Sequence, residues 1–145
     1  MIRVDSRPTA YRSIARSADH EILVDAPVSK GGGGAGFGAH DLLEASLAAC
    51  INMAVRMYDA QHAMPLERVS TTVRLSWPDA QTSRFDYTLT MDDNLTADDQ
   101  RELHAVAERC PIRQTLSKQL VFEPAPTIER RPQGAQPAAG STETR

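Results

Sequence analysis

The feature that most constrains this fold is a run of apolar and small residues from position 42 to position 58. It lies inside a longer segment, residues 41–62, that predicts one helix about 30 Å long. Asp41 and Glu44 stand three positions apart at its start, as the N-cap and the third helical residue do in a capping box. Because apolar side chains occur nearly all round this helix, we expect it to be buried at the centre of the molecule.

This run does not predict a membrane span, because Glu44, Asn52 and Arg56 would be held poorly by lipid. The N-terminus lacks the apolar stretch of a secretory signal, and its acidic residues argue against a transit peptide. Cys50 and Cys110 are the only cysteines, which excludes a disulfide-rich secreted scaffold. We therefore expect a reducing, cytoplasmic location.

Hairpins are predicted on both sides of the long helix. Residues 9–16 and 21–25 are rich in β-forming side chains and flank a turn-like segment. Residues 67–77 and 84–92 alternate apolar with polar positions, which is the period of a strand with one buried face. Each pair is predicted to form an antiparallel hairpin.

The C-terminal part is predicted to contain two helices and a strand. Thr96 precedes acidic residues and is the expected N-cap of the first helix, while Pro111 suits the first position of a shorter one. Residues 119–123 have the composition of a last strand. We predict one domain over residues 1–123 and an extended, disordered tail over residues 124–145, which has almost no apolar side chains. Hairpins separated by helices indicate an α+β fold.

A glycine-rich segment, residues 31–38, precedes the long helix. No Lys-Ser or Lys-Thr pair follows its glycines, as a phosphate-binding P-loop requires, and no βαβ unit surrounds it, as a dinucleotide site requires. We interpret it as an irregular, mobile connector. The net charge of −3 provides no basic field for nucleic acid or for an anionic membrane.

The two cysteines allow several interpretations from their local sequence. Cys50 is either a small buried hydrophobic residue or a functional thiol. Cys110 precedes a proline and lies between Arg109 and Arg113, so a helix N-terminus and two cations are expected to lower the pKa of its thiol. A zinc site made from Cys110 and His104 is another alternative.

Two stretches resemble the OsmC / organic hydroperoxide resistance family. GAHDLLEASLAACINMAV, with Cys50 inside a helix that follows a glycine-rich loop, is similar to the first cysteine motif of that family. AVAERCPIRQTLSK resembles its second motif, a helix that ends in Cys-Pro. The similarity covers about residues 9–123. It implies an OsmC-like fold with an N-terminal β-hairpin, a long buried central helix, a second hairpin and C-terminal helices. It also implies an intertwined homodimer with two sites at the interface.

The resemblance implies a peroxidase function. Members of the family reduce organic hydroperoxides with a pair of thiols and with neither metal nor bound cofactor. Cys50 would be the peroxidatic thiol and Cys110 the resolving thiol, and an external dithiol, either a lipoyl-type compound or a small thiol, would reopen their disulfide. The implied role is antioxidant, in an oxidative stress response, with no nucleic-acid or membrane partner.

In the family, an arginine of the N-terminal hairpin keeps the first thiol ionised. Arg16 is the first candidate for this role and Arg12 the second, although the arginine-rich start could also be a solvated face. The glutamate that orients this arginine, ten residues before the first cysteine, is replaced by His40. Asp41 or Glu44 would have to substitute for it, or the arginine is held in another way.

Two other functions are compatible with these residues. The same fold could act without catalysis, as a dimer that binds small apolar ligands or senses redox state. A hydrolase or transferase that uses Cys110 alone is the third hypothesis.

Overall fold

The computed structural model describes residues 1–92 and 94–125 of the chain. Five strands and three α-helices follow one another in this part, and a single 3₁₀ turn precedes the glycine-rich loop. In chain order they are β1 (Arg3–Ser6), β2 (Ser13–Arg16), β3 (Glu21–Val24), α1 (Ala39–His62), β4 (Val69–Asp79), β5 (Thr82–Met91), α2 (Ala97–Glu108) and α3 (Pro111–Leu116). This order confirms the α+β class.

The strands form two separate antiparallel sheets. β2 pairs with both β1 and β3, and β4 pairs with β5 in a long hairpin. Both predicted hairpins are confirmed, but β1 was not predicted. Residues 9–12, expected within the first strand, form a turn in which Tyr11 has a φ of 66°. The amide of Arg12 donates to the carbonyl of Thr9 at 3.1 Å, which closes this turn.

The long helix α1 begins two residues earlier than predicted. Gly38 is its N-cap, and Asp41 is the third helical residue rather than the cap. The Oδ2 atom of Asp41 accepts a hydrogen bond from the Gly38 amide at 2.8 Å. An acid at this position also stabilises the positive end of the helix dipole. Glu44 takes no part in this cap.

The polar residues that interrupt the apolar run hold α1 against β4. Glu44 accepts a hydrogen bond from the Leu75 amide at 2.6 Å. Asn52 donates to the Val69 carbonyl at 3.1 Å. Arg56 donates at 2.7 Å to a carbonyl just before β4. Because these three positions differ by multiples of four, they share one side of the helix.

The hydrophobic core lies where α1 packs against β4 on one side and against α2 on the other. The residues that face it from α1 are four positions apart, as one side of a helix requires. The buried core cluster consists of Leu47, Ile51, Val55, Leu66, Leu95, Leu103, Ala107 and Cys110.

The opposite side of α1 is not covered in a single chain. Leu43, Met53 and Met57, which we call the open face of α1, are 42%, 59% and 64% exposed. The prediction of a helix buried on every side therefore holds for one side only. Grouped apolar side chains of this size mark a surface that contacts something other than water.

Residues 119–123, predicted as a last strand, form no strand in the described part of the chain. Their apolar members are exposed, with Phe122 at 84%. That prediction is wrong for the single chain, because β-forming side chains need a neighbouring strand and a half-buried surface. Of the predicted tail, only residues 124 and 125 lie within the described residues. None of the helices in the described residues combines the length and apolar content that a bilayer crossing requires.

Candidate active site

Two elements bring the cysteines of this chain into contact. Cys50 lies in the middle of α1, and Cys110 is the N-cap of α3, with Pro111 at its first position as predicted. Both are free thiols. Cys50 packs against the buried cluster that contains Cys110, close enough for the two thiols to influence each other's ionisation. The two motifs that are separate in the sequence therefore meet at one place in the fold.

The two thiols differ in their access to solvent. Cys110 is fully buried in the core, whereas Cys50 is partly exposed. Leu43, Cys50 and Met57 recur at intervals of seven residues along α1, so Cys50 lies beside its open face. A reagent that approaches from outside the chain reaches Cys50 first.

The helix N-terminus and the flanking arginines favoured a reactive Cys110 thiol, but the burial of this thiol has the opposite effect. Burial raises the pKa of the Cys110 thiol, and interaction with the neighbouring Cys50 thiol raises it further. The backbone amides of Arg113 and Ile112 act in the opposite direction. The expected lowering of this pKa is therefore wrong in its net direction, since removing a thiolate from water outweighs the dipole of a short helix. The Arg113 guanidinium donates instead to the Glu108 carbonyl at 2.5 Å.

The two arginines proposed from the sequence lie in different surroundings. Arg16 is shared between two carboxylates, Glu21 at 3.0 Å and Asp5 at 3.4 Å. Arg12 contacts Asp25, with 3.5 Å between the arginine Nε and the carboxylate Oδ2. The Asp25 side chain is inaccessible to solvent, whereas the Arg12 side chain is partly exposed.

Asp25 is a buried acid that the sequence analysis missed. Its Oδ2 accepts from the Ala35 amide at 3.1 Å, and its Oδ1 accepts from the Ala26 amide at 2.9 Å. The hydrogen bond from Ala35 lowers the pKa of Asp25, burial opposes this, and Ala26 and Arg12 lower it further. Asp25 is therefore an anion at neutral pH. The only local signal was an acid at the end of an apolar strand.

The glycine-rich loop is packed against the chain rather than free. The Gly32 amide donates to the Pro27 carbonyl at 3.2 Å, and Phe37 forms a parallel bridge with Val24. A Cβ atom on Gly32 would lie 1.9 Å from the Ala26 carbonyl oxygen, closer than any side chain allows. Glycine is needed here for close backbone approach, so the interpretation as a mobile connector is corrected.

A cavity of about 410 Å³ lies between the end of β3, the loop and the start of α1. Tyr11, Asp25, Lys30 and His40 are among the residues that line it. The His40 ring packs edge-on against Trp77, with 4.9 Å between the ring centroids. Asp25 and His40 therefore both border this cavity, although they come from different elements and the Asp25 side chain is closed to solvent.

Residues 1–92 and 94–125 contain no group of three or more His, Cys, Asp or Glu arranged to hold a metal ion. Within these residues, Cys110 and His104 find no third ligand for the zinc site considered from the sequence.

A family model described as OsmC-like protein matches residues 31–124, more than half of this chain. No curated protein matches it. Among solved structures, a protein from Psychrobacter arcticus 273-4 is named for an osmotic stress induced and detoxification response. It is 24% identical, with a TM-score of 0.68 over 79% of this chain and 85% of its own.

Two other solved structures carry family names. An OsmC-like protein from Mycoplasma pneumoniae is 19% identical, with a TM-score of 0.68 over 80% of this chain and 85% of its own. An organic hydroperoxide resistance protein, OsmC, from Legionella pneumophila is 22% identical, with a TM-score of 0.60 over 81% of this chain and 88% of its own. At these identities the likeness establishes a shared fold.

Proposed function

This chain belongs to the OsmC-like protein family, and we propose that it is a thiol-dependent peroxidase that reduces organic hydroperoxides to alcohols. The observation that carries the proposal is the close approach of the Cys50 and Cys110 side chains in the core. The name of the Legionella pneumophila neighbour, an organic hydroperoxide resistance protein, supports the substrate class. The apolar side chains that surround Cys50 on α1 suit an alkyl hydroperoxide better than hydrogen peroxide.

Cys50 reacts first in this proposal, because it is the more accessible thiol. Its thiolate attacks the terminal oxygen of the hydroperoxide. A sulfur–oxygen bond forms, the oxygen–oxygen bond breaks, and the leaving alkoxide takes up a proton to become an alcohol. The sulfur loses two electrons, the peroxide gains them, and Cys50 becomes a sulfenic acid.

Cys110 then resolves the sulfenic acid. Its raised pKa keeps Cys110 protonated, so it remains a neutral thiol beside Cys50 until Cys50 is oxidised. Its sulfur bonds to the Cys50 sulfur, and its proton leaves with the hydroxyl group as water. An external dithiol reopens the disulfide by two exchanges and is itself oxidised to a disulfide. The cycle needs reduced thiols at rest, which favours a reducing compartment such as the cytoplasm.

The assay of this proposal is consumption of cumene hydroperoxide or tert-butyl hydroperoxide by the purified protein with dihydrolipoamide or dithiothreitol. We expect many turnovers per chain and a rate well above that of the dithiol alone, with hydrogen peroxide a poorer substrate. Loss of peroxide no faster than with dithiol alone contradicts the peroxidase. If an internal disulfide still forms under those conditions, the redox-sensor alternative gains support.

We also propose that two copies pack through the open face of α1. This packing would remove Leu43, Met53 and Met57 from water, which contributes on the order of 25 cal/mol per Å² of apolar surface. In this proposal an arginine of the N-terminal hairpin, Arg16 or Arg12, keeps the Cys50 thiol ionised.

A double substitution, Met53→Glu with Met57→Glu, is expected to convert the dimer into a monomer. Two buried carboxylates per chain would oppose the association, because an unpaired charge is costly to desolvate. Light scattering after gel filtration measures the mass directly. Gln81→Glu, in the exposed turn between β4 and β5, adds a charge away from α1 and should leave the dimer intact. A monomeric wild-type protein, or an unaffected double variant, would show that the open face has another role.

A further inference from the structure

The two thiols place a pair of soft, polarisable sulfur atoms at the edge of the core. Cys110 is fully buried, whereas Cys50 is partly exposed and packs against the cluster that contains Cys110. Both thiols are free. In the part of the chain that the structure describes, no third His, Cys, Asp or Glu joins them in a metal-holding group. A further ligand for an ion bound between them would have to be of another kind.

Met53 provides a third sulfur atom next to this pair. It lies three residues after Cys50 in α1, and side chains at this spacing have Cβ atoms about 5–6 Å apart on a helix surface. Long side chains in a helix extend toward its N-terminus, which directs the Met53 thioether over the turn that holds Cys50. Met53 is 59% exposed, so its side chain has room to turn toward an ion at Cys50.

A set of sulfur ligands selects a soft ion. Thiolate and thioether sulfurs favour Cu(I), whereas Cu(II) favours nitrogen and oxygen ligands, and Zn²⁺ in a structural site takes four ligands from Cys, His and carboxylates. A bound cation removes the proton of a coordinating thiol. The raised pKa of Cys110 therefore does not prevent this thiol from serving as a ligand.

We propose that Cys50, Cys110 and Met53 form a binding site for one Cu(I) ion per chain. The two thiols bind as thiolates and release their protons to water, the thioether binds as a neutral ligand, and the copper keeps its oxidation state. The site does not rest on the proposed peroxidase function, because reduced thiols bind the ion whether or not they turn over a hydroperoxide. An occupied site has no free thiolate at Cys50, so Cu(I) and a hydroperoxide compete for the same sulfur.

The test is an anaerobic titration of the reduced, full-length protein with Cu(I) in competition with the coloured chelator bicinchoninate. We expect one ion per chain. Met53→Leu keeps an apolar side chain of similar volume but removes the sulfur. This variant should bind at least about tenfold more weakly, because residues that only orient a metal ligand already change the affinity by that factor.

Met57→Leu is the matched control for Met53→Leu. It removes a thioether from the same open face, but Met57 lies seven residues after Cys50, about 10 Å along the axis of α1. The Met57 sulfur is therefore too distant to complete the site, and the affinity of this variant for Cu(I) should equal that of the wild type. A loss as large as that of Met53→Leu would contradict the assignment of Met53.

Two further measurements use the wild-type fold, so they remain valid where a cysteine variant fails to fold. Alkylation of Cys50 with iodoacetamide should abolish Cu(I) binding, and bound Cu(I) should in turn protect Cys50 from alkylation, followed peptide by peptide. X-ray absorption at the copper edge should show sulfur neighbours only, with one fewer in Met53→Leu than in the wild type.

Several results would overturn this site. These are a wild-type protein that cannot take Cu(I) from bicinchoninate, equal affinities of the wild type and Met53→Leu, unchanged binding after alkylation of Cys50, and nitrogen or oxygen neighbours at the copper. None of them bears on the peroxidase proposal, which depends on turnover of hydroperoxide in the absence of metal. Conversely, a protein without turnover that still binds Cu(I) in this way would refute the peroxidase and retain the metal site.

Discussion

Replacement of Cys50 by serine is expected to lower hydroperoxide consumption to the rate of the dithiol alone. A serine hydroxyl is not ionised at neutral pH and cannot form a sulfenic acid, so it cannot attack the hydroperoxide in place of the thiolate. The change removes little volume from a residue that is partly exposed, so the fold should be retained. Peroxide consumption under steady-state conditions measures the effect, with circular dichroism to verify folding.

The outcome for Cys50→Ser discriminates between the three hypotheses. Unchanged turnover in the folded variant would exclude Cys50 as the peroxidatic thiol. If the protein is instead a ligand-binding dimer, neither the wild type nor Cys50→Ser should turn over hydroperoxide, and the two should bind the ligand equally well. Ala49→Ser, one position earlier on an exposed part of α1, is a matched control that introduces the same hydroxyl and should keep wild-type turnover.

Replacement of Cys110 by serine is expected to stop the cycle after its first step. Cys110 is the buried, protonated thiol in contact with Cys50, so its loss removes the partner that condenses with the sulfenic acid. Without reductant, the variant should consume about one equivalent of hydroperoxide per chain and retain Cys50 as a sulfenic acid, on the scheme of thiol oxidation. The wild type should consume a similar amount and end as a disulfide.

Trapping with dimedone and peptide mass spectrometry measures this difference. The adduct is expected on Cys50 in Cys110→Ser and only weakly in the wild type. A wild-type protein whose oxidised form lacks a bond between Cys50 and Cys110 would contradict the resolving role. Loss of an activity other than peroxide reduction in Cys110→Ser, with no adduct on Cys50, would favour the hypothesis in which Cys110 acts alone.

Elements with a strong local signal were predictable from the sequence. Thr96 is the N-cap of α2, and its hydroxyl accepts from the Asp99 amide at 3.2 Å, as the spacing indicates. The β4–β5 hairpin follows from its alternation of apolar and polar positions. Both features depend on side chains within a few positions of each other, so the sequence is sufficient to identify them.

Elements that depend on distant neighbours were not predictable in the same way. β1 is short and has mostly exposed side chains, so only its pairing with β2 makes it a strand. Residues 119–123 show the reverse case. Their side chains favour a strand, but they have no neighbouring strand in the described chain and form none. In both cases a β-strand is defined by its partner rather than by its own composition.

The candidate site also contains features that the local sequence predicts and features that depend on contacts between distant segments. The two cysteine motifs were identifiable as sequence, and their pairing was implied by the family resemblance. Asp25 could not be identified from the sequence, because a single acid after an apolar strand has no distinctive pattern. For Cys110 the nearby arginines were visible in the sequence but its burial was not, so the direction of its pKa shift was wrong.

The sequence by itself determined the helices, the hairpins, the α+β class and the two cysteine motifs, because periodicity and capping operate over a few residues. Only the tertiary structure decided which thiol is buried, that Cys110 contacts Cys50, and that Asp25 joins Arg12 to the glycine-rich loop. These properties arise from burial and from contacts between distant segments. Desolvation and charge pairing depend on the distance between atoms in space, which separation along the chain does not specify.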